Sequence, residues 1–290
     1  MIITGDIYKV KMDKRLIAIR MGKHLEYFYL QNNLVKKFKR YLHSGRFISF
    51  MVSDDKKVYR GISARKVEYF IKIIRKSRVK QETYYDIDVI KSGIKDLINS
   101  LDNLMFLDLE MSMHDFDALP NFKSEIIQAG YIITNKEGKE LETKSFYVKP
   151  SLFTKLTKRT KKFLDIDEQD LEKGLSYKEF YDKFRKSLEK YHPTILVWGK
   201  NDIIILKESY ILNGMEDLNE KFNFINLLQI QKNYFNLKND LGLFNALKIY
   251  SGEDYEQVHD ALEDARVTKE VYFLFKKIIN RKKEFVFPSL

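Results

Sequence analysis

Asp108 and Glu110 stand two positions apart inside the otherwise apolar stretch from Asn103 to Met113. In an extended strand, residues two apart project from the same face, so both carboxylates would meet the same surroundings. Two poorly hydrated acids side by side repel, and a shared divalent cation is the usual way for them to coexist. The plainer alternative is an edge strand whose polar face meets water. Asp202 follows the apolar run Ile195 to Trp198 and Gly199, where a strand gives way to a helix. Ligands often bind at such strand ends, although an acid in a first helical turn is also favoured by the helix dipole alone. His259 and Asp264 form a His-x4-Asp spacing. A helix starting near Asp260 would put Ala261, Asp264, Ala265 and Thr268 on one stripe of small residues and Glu263, Arg266 and Glu270 opposite. Asp264 would then point into close packing and need a partner, which a metal held by Asp108 and Glu110 would be. His259, just before the helix, is placed to aim its imidazole at a water, although a histidine near a helix start is often only structural.

These residues need a sheet and helices to bring them together. After the Met105 to Glu110 strand, two more strands are expected at 124–134 and 143–148, joined by a turn at Asn135 to Lys139. A helical stretch follows from Leu152 to about Tyr191, broken near 164–167 and at Gly174 and ended by Pro193. A buried strand at 194–198, a helix from about Asn201, a strand near 222–228 and helix to about Ile279 complete the region. Strands first, then strands alternating with helices, describe a mixed α/β sheet with flanking helices.

The chain has 290 residues with 44% hydrophobic content, enough for one large or two modest domains. It contains no cysteine, which excludes disulfides, thiolate metal sites and cysteine nucleophiles and fits a cytoplasmic protein. No apolar run reaches the length of a membrane span, and no membrane partner is expected. The net charge of +11 is concentrated at one end: residues 1–80 hold 21 Lys and Arg against 6 Asp and Glu, whereas the remainder is acidic by four. That segregation fits a polyanion-binding module joined to something that does other work, or simply a solvated basic surface.

Within residues 1–80, strands are expected at 2–10, 16–21, 25–30, 46–52 and from Lys57 to Ile62 or beyond, with a short helix at 34–42. Five strands with a helix between the third and fourth is the order of an OB-fold barrel. The Gly5 to Tyr8 opening, Tyr27 to Tyr29, Gly45 to Phe50 and Gly61 to Val67 resemble the cold-shock and S1-like branch of that fold. The resemblance implies a platform where aromatic rings stack on bases and lysines and arginines track phosphates. Tyr8, Tyr27, Tyr29, Phe47 and Phe50 are the stacking candidates, with alternation placing about half of them inside the barrel. The basic run at 72–80, with Arg75, Lys76 and Arg78, is the phosphate candidate. Residues 81–102 read as a helical linker, leaving 103–290 as a second domain.

The acids and the histidine in this order resemble the DnaQ-like 3′→5′ exonucleases of DEDDh type, and more narrowly the KapD and histone-mRNA exonuclease branch. Residues Phe106 to Met113 resemble the first motif, Ser124 to Gly130 the second strand, and Val148 to Pro150 with Leu156, Thr157 and Phe163 to Ile166 the segment after it. Trp198 to Asp202 resembles the branch's Trp-Gly-x-x-Asp motif, and His259 to Asp264 the third. The resemblance covers about residues 103–280 and implies an RNase H-like fold. It implies Asp108, Glu110, Asp202 and Asp264 as ligands of two Mg2+ or Mn2+ ions and His259 as general base. By the same analogy the backbone and side chains of Leu109, Met111 and Ser112 line the sugar. Trp198 either stacks on the 3′-terminal base or serves as a core ring. Gln128 departs from the acid often found there in related sequences. The implied activity is hydrolysis of single-stranded RNA to nucleoside 5′-monophosphates. The alternatives are a DNA exonuclease of proofreading type and a nucleic-acid tether with an inactive nuclease domain. Sequence assigns no oligomeric state.

Overall fold

A computed structural model of the chain describes residues 1–76, 80–115, 122–152, 155–255, 259–281, 285 and 287. The chain divides into two compact units, Met1–Gly93 and Ile94–Leu290.

The first unit is a closed barrel. Strands β1 (Ile2–Lys11), β2 (Leu16–Met21) and β3 (His24–Tyr29) form an antiparallel meander, and helix α1 (Asn32–Phe38) leads to β4 (Phe47–Tyr59) and β5 (Ile62–Arg75). β4 pairs with both β1 and β5, and β3 closes the ring by running parallel to β5. This is the expected OB-like barrel. Ile7, Ile17, Ile19, Phe28, Ile48, Phe50 and Phe70 fill its interior. β4 is longer than the sequence suggests, running unbroken through Asp54, Asp55, Lys56 and Lys57. Register shifts along the β4–β5 ladder let it bend while those charged residues stay in water. A short β6 (Glu82–Tyr84) then adds to the edge of β5, so residues 81–102 are not helical throughout. Helix α2 (Ile87–Ser100) follows, and the division between the units falls within it.

The second unit holds a five-stranded sheet flanked by helices. Its elements are β7 (Leu104–Met111), β8 (Ile126–Thr134), β9 (Glu140–Tyr147), α3 (Lys158–Leu164), α4 (Glu168–Glu172), α5 (Tyr177–Tyr191), β10 (Thr194–Val197), α6 (Asn201–Leu212), β11 (Phe224–Asn226), α7 (Leu227–Phe235), α8 (Leu243–Ser251) and α9 (Ala261–Ile279). Strand order is β11-β10-β7-β8-β9, with β7, β8 and β9 antiparallel and β10 parallel to both β7 and β11. The sheet and its helices form the RNase H-like fold. Met105, Leu107 and Leu109 face a core shared with Phe180 and Phe184 of α5 and Leu206 of α6. Alternation sends Phe106, Asp108 and Glu110 to the other face, where Phe106 meets Tyr272 of α9 at 5.5 Å between ring centroids.

Gly130 of β8 is where α9 touches the sheet. A Cβ there would lie 2.3 Å from the Leu262 nitrogen and 2.4 Å from the Ala261 carbonyl carbon, both backbone atoms that cannot swing aside. Gly130→Ala should therefore displace the first turn of α9 and destabilise the protein by about 1–3 kcal/mol. Urea unfolding measures that loss, and a wild-type midpoint in the variant would contradict the close approach.

Candidate active site

β7 carries two acids toward α9, and the first turn of α9 carries the third. Carboxylate oxygens of Asp108, Glu110 and Asp264 lie within 4.8 Å of one another. Asp264 sits on the small-residue stripe expected from its sequence: Ala261, Ala265 and Thr268 are buried with it, while Glu263 and Glu270 are exposed. Asp202 is buried in the first turn of α6, and its Oδ1 accepts a hydrogen bond of 3.1 Å from the Leu109 backbone N–H. It stands outside the three-carboxylate group yet close enough to raise the pKa values of Asp108 and Glu110.

The electrostatics of this cluster are those of a cation site. Burial, then the charges of Asp264, Asp202 and Asp260, push Glu110 up to about 8. Burial pushes Asp202 up to about 7, against hydrogen bonds from backbone N–H groups and with Asp264 adding to the rise. Asp108 is raised well above the usual carboxylate range by burial, then by Asp202, Glu110, Asp264 and Asp260. Hard carboxylate oxygens converging within 4.8 Å of one another suit a divalent metal, whose binding would favour their ionised forms.

His259 precedes the helix with a left-handed backbone, φ 53°, and its ring lies 4.2 Å from that of Phe163 on α3. Phe163 is half exposed, and no local pattern in the sequence marks it as a neighbour of the histidine. Asp260 caps α9 by accepting from the Leu262 and Glu263 backbone N–H groups. Gln128, directly across from Glu110 on β8, grips this turn: its Nε2 donates to Asp260 Oδ2 at 2.6 Å and its Oε1 accepts from the Ala261 N–H at 3.3 Å. An acid at position 128 would face a second acid, which gives the glutamine its physical reason.

Asp108 and Asp264 share a cavity of about 420 Å³ with Trp198, Gly242, Leu243, Phe244 and Asn245. Trp198 is half-buried and fixed by an Nε1–H bond of 3.1 Å to the Leu241 carbonyl, so it is both anchored and part of the wall. Gly242 to Asn245, at the start of α8, escaped sequence reasoning because only tertiary packing brings them opposite β7. For the residues expected along the sugar, the structure fixes where the side chains lie. Leu109 is 2% exposed and, with Met111, packs on the core away from the acids, because odd-numbered residues of β7 face the other side. Ser112 is buried, its N–H bonded to the Glu125 carbonyl and its Oγ accepting from the Glu125 N–H.

In the barrel unit, Tyr8 is exposed under the Arg20 guanidinium at 4.5 Å, and Tyr27 lies 5.3 Å from the Lys11 ammonium. Tyr29 stacks on Tyr59 at 4.4 Å, and Arg15 and Arg60 lie 5.6 and 5.8 Å from the Tyr59 ring. Phe50 is wholly buried and is no stacking surface. Arg75 pairs with Glu82 at 3.4 Å and Lys76 lies 5.4 Å from the Phe47 ring; Arg78 lies outside the described residues.

An RNase H-like sheet whose first strand carries two acids beside a third from a packed helix is the build of a metal-dependent nuclease. The description of the exonuclease family RNase T matches residues 105–272, and the chain belongs to that family. It is 32% identical over 193 residues to the probable 3′-5′ exonuclease KapD of Bacillus subtilis (strain 168), covering 63% of this chain and 87% of that protein. Its fold is similar to the nuclease domain of 3′hExo, a DEDDh family member bound to rAMP, with TM-score 0.54 and 17% identity over 66% of this chain and 98% of that one. It is also similar to the cell-death related nuclease CRN-4, with TM-score 0.52 and 20% identity over 62% of this chain and 64% of that one.

Metal-free protein should lose stability as pH rises. Glu110 and Asp202 hold protons in the folded state that ordinary carboxyls release near 4.5 and 3.8. Their contribution is full below those values and is lost as pH passes through about 7 to about 8. Thermal unfolding in EDTA should thus show a lower midpoint near pH 9 than near pH 6, and added Mg2+ should shrink the difference; a flat profile in EDTA would contradict it. Gln128→Glu should destabilise the protein by about 1–3 kcal/mol by removing a buried donor beside Asp260. Denaturant titration of that variant reads the effect, and Gln128→Met, which removes the amide without adding charge, should cost less.

Proposed function

We propose that the chain is a 3′→5′ exoribonuclease that shortens single-stranded RNA and releases nucleoside 5′-monophosphates. The observation that carries this reading is the convergence of Asp108, Glu110 and Asp264 in a member of the exonuclease family. The RNA preference draws on the histone mRNA stem-loop, which a structurally similar 3′-exonuclease recognises. The absence of cysteine fits action in the cytoplasm.

Asp108, Glu110, Asp202 and Asp264 would hold two divalent cations, Mg2+ or Mn2+, whose chemistry there would be to neutralise and polarise the reacting phosphate. Leu109 takes part through its N–H, which orients the Asp202 carboxylate. His259 accepts the proton of the attacking water as the water oxygen bonds to phosphorus. The bond from phosphorus to the 3′-oxygen of the preceding nucleotide breaks, and that oxygen takes a proton from solvent. Trp198 and Phe244, on the wall of the acidic cavity, orient the terminal base and keep bulk water from its phosphate. In this reading the barrel unit holds the strand further from its 3′ end: Tyr8, Tyr27 and Tyr29 offer stacking surfaces beside Arg20, Lys11 and Arg15, and Arg75 and Lys76 add positive charge.

End-labelled RNA and DNA oligonucleotides incubated with the full chain and Mg2+ or Mn2+ test this. The expected result is stepwise shortening from the 3′ end, faster on RNA, falling about 10³-fold in Asp108→Ala. In the same assay, Lys11→Gln with Arg20→Gln should weaken use of long RNA and reduce its salt dependence, while leaving dinucleotide hydrolysis unchanged. Shortening that persists undiminished in Asp108→Ala would sink the assignment.

A further inference from the structure

A second polar cavity lies on the face of the sheet that points away from Asp108 and Glu110. It encloses about 330 Å³ between α5 and the edge strand β9, and its walls include Lys144, Lys183, Lys186 and Lys190. Lys183, Lys186 and Lys190 fall on one stripe of α5, spread over roughly 10 Å of helix. Among the described residues, Lys144, Lys183 and Lys186 make no ion pair or side-chain hydrogen bond, while Lys190 donates to the Tyr191 hydroxyl at 2.7 Å and also feels the charge of Glu142. This gathering occurs in a unit that is acidic by two, so general basicity does not account for it. One lysine on an edge strand would discourage sheet pairing, but three of these stand on a helix.

The floor has its own chemistry. Tyr131 is fully buried, and its hydroxyl meets Ser187 Oγ at 2.9 Å. Ser187 in turn donates to Glu142 Oε1, while Glu142 Oε2 has no hydrogen-bond partner among the described residues. Half-buried Phe146 supplies an apolar wall. Four ammonium groups around a nucleotide-sized hollow match the charge of a phosphomonoester, close to −2 near neutral pH, better than that of a single backbone diester. Glu142 would repel a bare anion but accept a hydroxyl or amino group carried on the same molecule.

We propose that the cavity between α5 and β9 binds a phosphomonoester attached to a nucleoside, with Lys144, Lys183, Lys186 and Lys190 holding the phosphate and Glu142 accepting a donor from the sugar or base. The ligand is either a free mononucleotide or the 5′-phosphorylated end of a strand. The site is separate from the acidic cluster and needs none of its residues.

Calorimetric titration of the full chain in EDTA, which suppresses metal-dependent binding at the acidic cluster, tests this with five probes: adenosine 5′-monophosphate, adenosine, inorganic phosphate, and one oligonucleotide in 5′-phosphate and 5′-hydroxyl forms. Saturable binding of adenosine 5′-monophosphate, tighter than that of inorganic phosphate and absent for adenosine, is expected. It should weaken about tenfold in Lys183→Gln with Lys186→Gln, whose exposed side chains can change without disturbing the fold, as an unchanged thermal midpoint would verify. Glu142→Gln should narrow the gap between the nucleotide and inorganic phosphate. A 5′-phosphate preference in the oligonucleotide pair identifies strand ends as the ligand, and its absence with intact mononucleotide binding identifies the free nucleotide. Failure of every phosphomonoester to bind, or binding unchanged in the double lysine variant, overturns the proposal. Either result leaves the exonuclease reading standing, because Asp108→Ala tests that separately.

Discussion

Asp108, Glu110, Asp202 and Asp264 repel one another across a volume from which water is largely withdrawn, and the rest of the fold must hold them there. Burial is the largest cause of the raised pKa values of Asp108, Glu110 and Asp202, with the mutual charges adding to it. Such a cluster stays ionised at neutral pH only beside a concentrated positive charge. The fold answers by fixing the acids from rigid elements: a central strand for two of them, and the first turns of α6 and α9 for the others.

That demand explains the closeness of α9 and β8. Gly130 removes the side chain that would hold the helix off, and Gln128 locks its first turn with both ends of one amide. Glu110 lies opposite Gln128 and Asp108 opposite Gly130, so the two residues that seat the helix are the cross-strand neighbours of the two β7 acids. The left-handed turn at His259 sits at the end of this clamp, which places the imidazole by the same contacts that place Asp264.

The two units differ in where their charge lies. The barrel carries positive charge beside aromatic rings such as Tyr8 and Tyr27. The sheet unit gathers negative charge at Asp108, Glu110 and Asp264, a set of carboxylates suited to a divalent cation. Opposite charge patterns in one chain explain why the net charge of +11 describes neither unit.

The sequence by itself determined the acids, their strand and helix addresses, and the family. Period-two alternation puts Asp108 and Glu110 on one face, and a stripe of alanines around Asp264 announces close packing. It also determined the barrel, since five strands with one helix in that order have few other ways to close. Tertiary structure alone decided which neighbours complete the site. Phe163 against His259, Gln128 against Asp260, and Phe244 and Asn245 across from Asp108 are contacts between segments distant in sequence, and no local periodicity encodes them. It also decided which side of each strand is which: Leu109 and Phe50, plausible ligand contacts by type, belong to cores because the pleat sends them inward. Local spacing fixes where a side chain points relative to its neighbours in the chain; only packing fixes what it points at.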